Sequence, residues 1–237
     1  MKNLIIILSL ALISPSYASA AVTSSPDHSI WNSILQRYVS SDGKVDYSGI
    51  KGDRRFSDYL RTLSGSHPDD SWSKAEKKAY WINTYNAFTV QLITQNLPLK
   101  SIKDLETPWD RKFISIEGNA YSLNDIENKI LRPQFKDPRI HFAINCASFS
   151  CPIMQNKAFT SGNLESMLES ATRDFINDPK RNNISTNKIE ISNVFDWYKE
   201  DFTAKGSIVQ FLNRYSRNTI AAGAAVSYMN YDWKLNN

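Results

Sequence analysis

Residues 73–96, SKAEKKAYWINTYNAFTVQLITQN, are the stretch that decides the fold. Ser73 and Glu76 fit the S-x-x-E capping box, in which each side chain accepts a hydrogen bond from the backbone N–H of the other residue and starts a helix. Apolar side chains then recur every three or four residues as far as Ile93, and Pro98 follows the pattern. The spacing predicts one long helix with a buried face.

Shorter patterns surround this helix. Helical periodicity is present at 30–39, 55–63, 125–132, 163–177, 196–202 and 207–216. Alternation of apolar and polar side chains predicts strands at 111–117, 139–145, 188–192 and 225–231. Because helices and strands do not alternate as β-α-β units, we expect an α+β fold with helices on a mostly antiparallel sheet. No linker interrupts it, so one domain is predicted at 30–235.

The composition excludes several classes of protein. The 237 residues are 41% hydrophobic and 22% charged, as in globular proteins, which argues against a collagen-like, disordered or multi-span membrane chain. Neither of the usual glycine-rich phosphate-binding motifs, G-x-G-x-x-G and G-x-x-x-x-G-K, occurs in the sequence. Lys and Arg number 28 against 24 Asp and Glu, an excess too small to indicate a nucleic-acid partner. With two Cys and three His, no metal site and no cofactor is predicted.

The first 20 residues have the pattern of a secretory signal peptide. Lys2 precedes an apolar run at 4–13, and residues 18–20 (ASA) fit the A-x-A cleavage pattern. The run is about half of the ~20 residues that a membrane-spanning helix needs. We therefore expect a periplasmic or secreted protein without a membrane anchor after cleavage, and a short N-terminal extension at 21–29.

Residues that could carry chemistry are concentrated at 139–152, RIHFAINCASFSCP. Read as a strand, the segment places Arg139, His141 and Asn145 on one face, opposite an apolar face. Buried polar groups need hydrogen-bond partners, so this polar face predicts a ligand site or a packing network.

The two cysteines leave three interpretations open. Cys151 precedes Pro152, a residue favoured at the first position of a helix, and a helix N-terminus lowers the pKa of a thiol. Cys151 could then be a nucleophile, with His141 as its general base. An oxidising compartment favours instead a disulfide or redox pair between Cys146 and Cys151. The third interpretation is two structural thiols.

Polar residues of the predicted helices supply candidate partners. Glu127 could orient His141, as the third group of a catalytic triad does, or could be a solvated surface acid. Asn83 and Asn86 lie on the long helix, and the amide of Asn86 falls within its apolar stripe. Such an amide contacts a ligand or ties the helix to the backbone of a neighbouring loop.

Other conspicuous residues are expected to play no part in the site. His28 and His67 are expected to be exposed. Large aromatic residues are expected in the core rather than on a ligand-binding surface, among them Trp109, Trp197, Tyr198 and Trp233.

Five stretches of the chain resemble the bacterial and plant family DUF547. They are WINTYNAFTV (81–90), SLNDIENKILR (122–132), DPRIHFAINCASFSCP (137–152), VFDWYKEDF (194–202) and YDWKLN (231–236). The resemblance extends over about residues 30–235 and is most specific at 139–152. It implies a fold similar to papain-like and transglutaminase-like cysteine hydrolases, and a link to glutathione.

The resemblance also implies which residues form the site. His141, Cys146, Cys151 and Glu127 match the strongest part of the pattern, and Asn86 supports them. A His often follows the Ile-Glu pair in this family, whereas this chain has Asn128 there.

Two hypotheses about function follow. In the first, an exported thiol-dependent hydrolase or thiol-binding protein uses Cys151 or Cys146, with His141 as base and the backbone N–H groups of 150–153 as an oxyanion hole. In the second, a non-catalytic binding or scaffold module carries a Cys146–Cys151 disulfide. In either case the partner is an unidentified small molecule or peptide. Its expected contacts are Asn83, Asn86, Arg139 and Asn145.

Overall fold

The computed structural model describes residues 25–237. The predicted signal peptide at 1–20 lies outside the described residues, as does the first part of the extension at 21–29. None of the helices within residues 25–237 is long and apolar enough to cross a membrane.

Four helices form the first part of the fold. They are α1 (Ser29–Tyr38), α2 (Tyr47–Gly52), α3 (Arg54–Ser64) and α4 (Lys74–Gln95). The predicted capping box is present, since the side chains of Ser73 and Glu76 each accept from the other's backbone N–H. α4 packs on α2, α3 and the segment after Ser122, so most of its side chains are buried.

Within the described part of the chain, five short strands form two sheets. They are β1 (Ile114–Ile116), β2 (Asn119–Tyr121), β3 (Asn183–Ile184), β4 (Lys188–Ile191) and β5 (Ala225–Tyr228). β1 and β2 form an antiparallel hairpin, with Ser115 opposite Ala120. β4 pairs antiparallel with β3 and parallel with β5. The α+β fold is therefore confirmed.

The other helical segments of residues 25–237 are short, except for α6. They are a 3-10 helix (Ile102–Asp104), a π-helical segment (Asp125–Leu131), α5 (Arg132–Phe135), a second 3-10 helix (Pro138–Phe142), α6 (Leu164–Ile176), α7 (Val194–Trp197), α8 (Lys199–Thr203) and α9 (Ile208–Asn213).

The prediction of a strand at 139–145 is wrong. The Asp137 carboxylate accepts from the Arg139 N–H, and Pro138 occupies the first helical position, so the chain forms the second 3-10 helix. Successive side chains of a 3-10 helix point a third of a turn apart. Ile140, His141 and Phe142 therefore point in three different directions. Ile140 and Phe142 belong to different clusters of buried apolar side chains, and His141 lies between them in the sequence.

Two clusters of buried apolar side chains make up the interior. The larger one contains α1 to α4 and includes Tyr85, Ile140 and Ile144. The second surrounds Phe142 and contains β4, α9 and parts of α6 to α8, including Val194. Side chains of both clusters line the same cavity, which therefore lies where the two clusters meet.

Candidate active site

A cavity of about 230 Å³ opens at this junction. It brings together four residues that the sequence singles out, namely Glu127, His141, Cys146 and Cys151. Aromatic side chains form much of its wall: Tyr85, Trp109, Trp197, Tyr198, Tyr231 and Trp233. An apolar wall with a few convergent polar groups is the usual composition of a small-molecule site.

His141 is held by a carboxylate that the sequence did not indicate. Its Nε2 lies 2.7 Å from Asp201 Oδ2, and its ring stacks on Tyr198 with centroids 3.9 Å apart. Arg132 donates to both carboxylate oxygens of Asp201, at 2.6 and 3.1 Å. Partial burial raises the pKa of Asp201, but the hydrogen bonds from His141 and Arg132 outweigh it and hold that pKa well below its ordinary value. The ionised carboxylate fixes the imidazole with Nε2 as the donor.

The other nitrogen of His141 has no hydrogen-bond partner among the described residues. Nδ1 is buried, and the Glu127 Oε1 atom lies 3.8 Å away, beyond hydrogen-bond distance. Because Nε2 donates to Asp201, Nδ1 is left as an acceptor. The cavity thus contains a buried proton acceptor that nothing in the described chain satisfies.

The π-helical segment positions Glu127. Wide turns of this kind are frequent at functional sites. Asn124 accepts from Asn128 at 3.1 Å, and Asn128 accepts from Arg132 at 2.8 Å. Asn128 does not line the cavity, and it supports the arginine that holds Asp201.

Cys146 and Cys151 are two thiols in contact rather than a disulfide. Their sulfur atoms lie 2.8 Å apart, whereas a disulfide bond measures about 2.05 Å. Two hydroxyl groups also approach Cys146 Sγ, that of Ser148 at 3.1 Å and that of Tyr231 at 3.3 Å. The Ser148 and Tyr231 hydroxyl oxygens also lie 3.0 Å from each other. Three groups able to donate a hydrogen bond therefore surround Cys146.

These contacts shift the pKa values of the two thiols in opposite directions. Burial raises the pKa of Cys146, but hydrogen bonds from Cys151, Ser148 and Tyr231 outweigh it and lower that pKa to about 7. Burial and the neighbouring Cys146 raise the pKa of Cys151 well above its ordinary value. The hydrogen bonds thus favour Cys146 as the thiolate and Cys151 as the thiol that keeps its proton.

The helix expected to start at Pro152 is not formed. Cys151 therefore does not lie at a helix N-terminus. The backbone N–H groups of Ser150 and Cys151 donate to the Asp232 and Ser148 carbonyls, and Pro152 has no N–H. Most of the oxyanion hole expected at 150–153 is therefore unavailable.

The segment that carries Glu127, His141 and both cysteines matches a known family. Residues 70–176 match the family described as a protein of unknown function, DUF547. The chain carries a DUF547 domain. No curated protein and no solved structure matches the chain. The DUF547 match is shorter than the 30–235 expected from the sequence, and Asp201, Tyr198 and Tyr231 lie beyond it.

Asn83 and Asn86 do not line the cavity. The Asn86 amide donates to the Ala143 carbonyl at 2.9 Å and accepts from the Asn145 N–H at 2.8 Å. Asn83 makes the same pair of bonds to the carbonyl and N–H of Phe159. Both side chains tie α4 to neighbouring backbone, as in one of the two interpretations of Asn86.

Asn145 and Arg139 also have structural partners. The Asn145 side chain accepts from the Ala147 N–H at 2.8 Å and donates to the Pro152 carbonyl at 2.7 Å. It thereby shapes the loop that carries both cysteines. Arg139 pairs with Asp137 and with Glu165, each at 2.8 Å or less, and does not line the cavity.

Two expectations about other residues are wrong. His28 is buried, bonds the Tyr59 hydroxyl at 2.8 Å and has a pKa lowered by burial to about 4. Trp197 is 47% exposed, and its ring lies 4.7 Å from Tyr231 and 5.6 Å from Trp233. Trp109, Trp197 and Trp233, which were expected in the core, therefore form with Tyr231 a contiguous part of the cavity wall.

Sequence reasoning missed Asp201, Arg132 and Tyr231. The stretches VFDWYKEDF and YDWKLN that resemble the family contain Asp201 and Tyr231, and SLNDIENKILR contains Arg132. The resemblance of these stretches to the family was therefore the available signal for the three residues. Nothing in the spacing of the stretches indicates that they meet in the fold. Within residues 25–237, no cluster of His, Cys, Asp and Glu is arranged to hold a metal ion.

Proposed function

We propose that this DUF547 protein is a thiol-dependent acyl-transfer enzyme, in the simplest case a hydrolase, with Cys146 as nucleophile. One observation carries the proposal: Cys146, surrounded by three hydrogen-bond donors, lines the same cavity as the carboxylate-bound His141. A thiolate and an oriented imidazole are the two groups that covalent acyl transfer requires.

The reaction has two stages. The Cys146 thiol first gives its proton to His141 Nδ1. The resulting thiolate attacks the acyl carbon and forms a C–S bond, the carbonyl electron pair moves to oxygen, and the bond to the leaving group breaks as the carbonyl re-forms. His141 supplies the proton that the leaving group takes. Water then attacks the thioester, His141 accepts a proton from it, and the acid leaves as Cys146 returns to thiolate.

Tyr231 is the candidate for stabilising the oxyanion. Burial and the neighbouring Cys146 raise the pKa of Tyr231 well above its ordinary value, so its hydroxyl stays protonated beside a thiolate. At 3.3 Å from Cys146 Sγ, it is close to where the oxyanion of a bound acyl group would form. A side-chain donor would here replace the backbone N–H groups.

An activated ester tests the proposal directly. The protein is incubated with p-nitrophenyl acetate, nitrophenol release is followed, and the acetylated residue is mapped by mass spectrometry. We expect acetyl-Cys146 and turnover in the wild type, no acetylation in Cys146→Ser, and retained turnover in Cys151→Ser. Equal nitrophenol release by the wild type and Cys146→Ser would instead support a non-catalytic binding module.

The sequence further supports a proposal about the compartment. The pattern at 1–20 is that of an exported protein, so the substrate is expected outside the cytoplasm. N-terminal sequencing of the protein from cell fractions tests this, and an intact N-terminus in a cytoplasmic fraction would contradict it. We also propose, from the family resemblance, that the fold is similar to that of papain-like hydrolases.

A further inference from the structure

The acidic and basic side chains that line the cavity differ sharply in number. Among the described residues that line it, Glu127 and Asp110 are carboxylates, and none is Lys or Arg. Two cations lie against the aromatic wall, with Lys103 Nζ 5.1 Å from the Trp233 ring centre and Arg132 Cζ 5.1 Å from that of Tyr198, but neither is a lining residue. An anionic ligand inside the cavity would meet two carboxylates, whereas a cation would be attracted to them.

The aromatic wall has the composition that binds cations. The rings of Trp197, Tyr231 and Trp233 contact one another, with centroids 4.6 to 5.6 Å apart. Trp109 extends the wall, with its ring centroid 5.6 Å from that of Trp233. Ring faces attract a cation within about 6 Å of the centroid, and most strongly when the cation is desolvated.

Two buried hydrogen-bond acceptors lie beside each other in the cavity. His141 Nδ1 has no partner among the described residues, and Glu127 Oε1 lies 3.8 Å from it. When Nε2 donates to Asp201, both of these atoms can only accept, so no hydrogen bond forms between them. A group with two N–H bonds placed beside them would satisfy both at once, whereas a quaternary ammonium would satisfy neither.

From these observations we propose that the site takes a substrate bearing a protonated primary amine. The ammonium group lies against the aromatic wall and donates to Glu127 and, before the proton transfer, to His141 Nδ1. This inference gives the substrate class of the thiol-dependent reaction proposed above, and it therefore rests on that proposed function. Binding itself does not require that chemistry.

The test measures binding in a protein that cannot form a thioester. Full-chain Cys146→Ser is titrated with n-butylammonium, n-butanol, butyrate and butyltrimethylammonium, by ligand-observed NMR at pH 7. We expect butylammonium to bind at least tenfold more tightly than butanol, and butyrate not to bind. Butyltrimethylammonium, which has no N–H, is expected to bind at least fivefold more weakly than butylammonium.

Two variants test whether the carboxylate of Glu127 binds the ammonium group. Glu127→Gln, made in the same background, is expected to weaken butylammonium binding at least tenfold. Glu200→Gln removes an exposed carboxylate of α8 that does not line the cavity, and is expected to change binding less than twofold. The comparison of the four ligands needs no Glu127 variant, so it stays decisive if that variant is unfolded.

Three outcomes would overturn the inference. These are equal binding of butanol and butylammonium, equal binding of the trimethyl compound, and unchanged binding in folded Glu127→Gln. Any of them leaves the acetylation of Cys146 to be judged separately. Conversely, tight butylammonium binding without acetylation of the wild type would keep the amine site and overturn the enzyme.

Discussion

The Cys151 sulfur makes two contacts with the same residue: it accepts from the Cys146 backbone N–H at 2.9 Å and lies 2.8 Å from the Cys146 sulfur. The backbone contact fixes the position of Cys151 Sγ beside the neighbouring thiol. When Cys146 ionises, the proton that remains on Cys151 can be donated to it, which stabilises the thiolate.

Removal of this donor is predicted to make Cys146 less acidic. In Cys151→Ala, the apparent pKa of Cys146 should rise from about 7 towards the ordinary thiol value of about 8.5. Iodoacetamide labelling of Cys146 as a function of pH, followed by mass spectrometry, measures the shift. Cys151→Ser is the control because its hydroxyl can still donate. An identical labelling profile in the wild type and Cys151→Ala would show that Cys151 does not stabilise the thiolate.

The carboxylate that holds His141 is predicted to be needed for turnover. Asp201→Asn keeps the shape of the side chain but removes the charge that orients the imidazole and stabilises its protonated form. We expect turnover of p-nitrophenyl acetate to fall about 100-fold. Glu200→Gln, one residue earlier and exposed, should leave it unchanged. If Asp201→Asn is folded and retains full turnover, the His141–Asp201 pair has no catalytic role.

The Asn86 bridge is predicted to contribute to stability rather than to ligand binding. Asn86→Ala leaves the buried Asn145 N–H and Ala143 carbonyl without partners, each at a cost of about 1–3 kcal/mol. We expect the free energy of unfolding in urea to fall by about 2–4 kcal/mol. Exposed Gln95→Ala on the same helix should change it by less than about 0.5 kcal/mol. A loss of ligand affinity without a loss of stability would contradict this role.

His28 is predicted to make the protein less stable in acid. Its pKa is lowered by burial from 6.5 to about 4, so between these values the unfolded chain binds a proton that the folded chain does not. The stabilisation is therefore complete above pH 6.5 and is lost as the pH falls to about 4. The loss amounts to about 3 kcal/mol.

The matched variant for this prediction is His28→Gln, which can still bond the Tyr59 hydroxyl but does not titrate. Urea unfolding of both proteins at pH 7 and pH 4 gives the pH dependence of each. The decrease in unfolding free energy should be smaller in the variant by about 3 kcal/mol. Equal decreases would mean that His28 is already accessible to protons in the folded state.

The elements that the sequence predicted well are those with strong local signals. α4 begins at the capping box of Ser73, and α6 and β4 lie within one or two residues of their predicted bounds. At 139–145, apolar alternation was mistaken for a strand. Asp137 and Pro138, an N-cap followed by proline, were the local signal for the 3-10 helix that forms instead.

The site was predictable only in part, for a physical reason. Glu127, His141, Cys146 and Cys151 could be chosen because their side chains are chemically distinctive and lie close together in sequence. Asp201 is 60 residues from His141, and its role depends on a tertiary contact that no local pattern encodes. The choice between the two thiols likewise depended on hydrogen bonds from distant side chains.

The segment at 231–236 completes the cavity. It supplies Tyr231, and its backbone bonds the cysteine loop: the Phe149 and Ser150 N–H groups donate to the Lys234 and Asp232 carbonyls. A ribosome synthesises Tyr231 85 residues after Cys146, and until this segment docks the thiol lacks the Tyr231 contact that helps to acidify it. The nascent or unfolded chain therefore carries an ordinary cysteine, poorly reactive at neutral pH. If Cys146 is the nucleophile proposed above, it reaches its full acidity only when the last residues of the chain have folded against it.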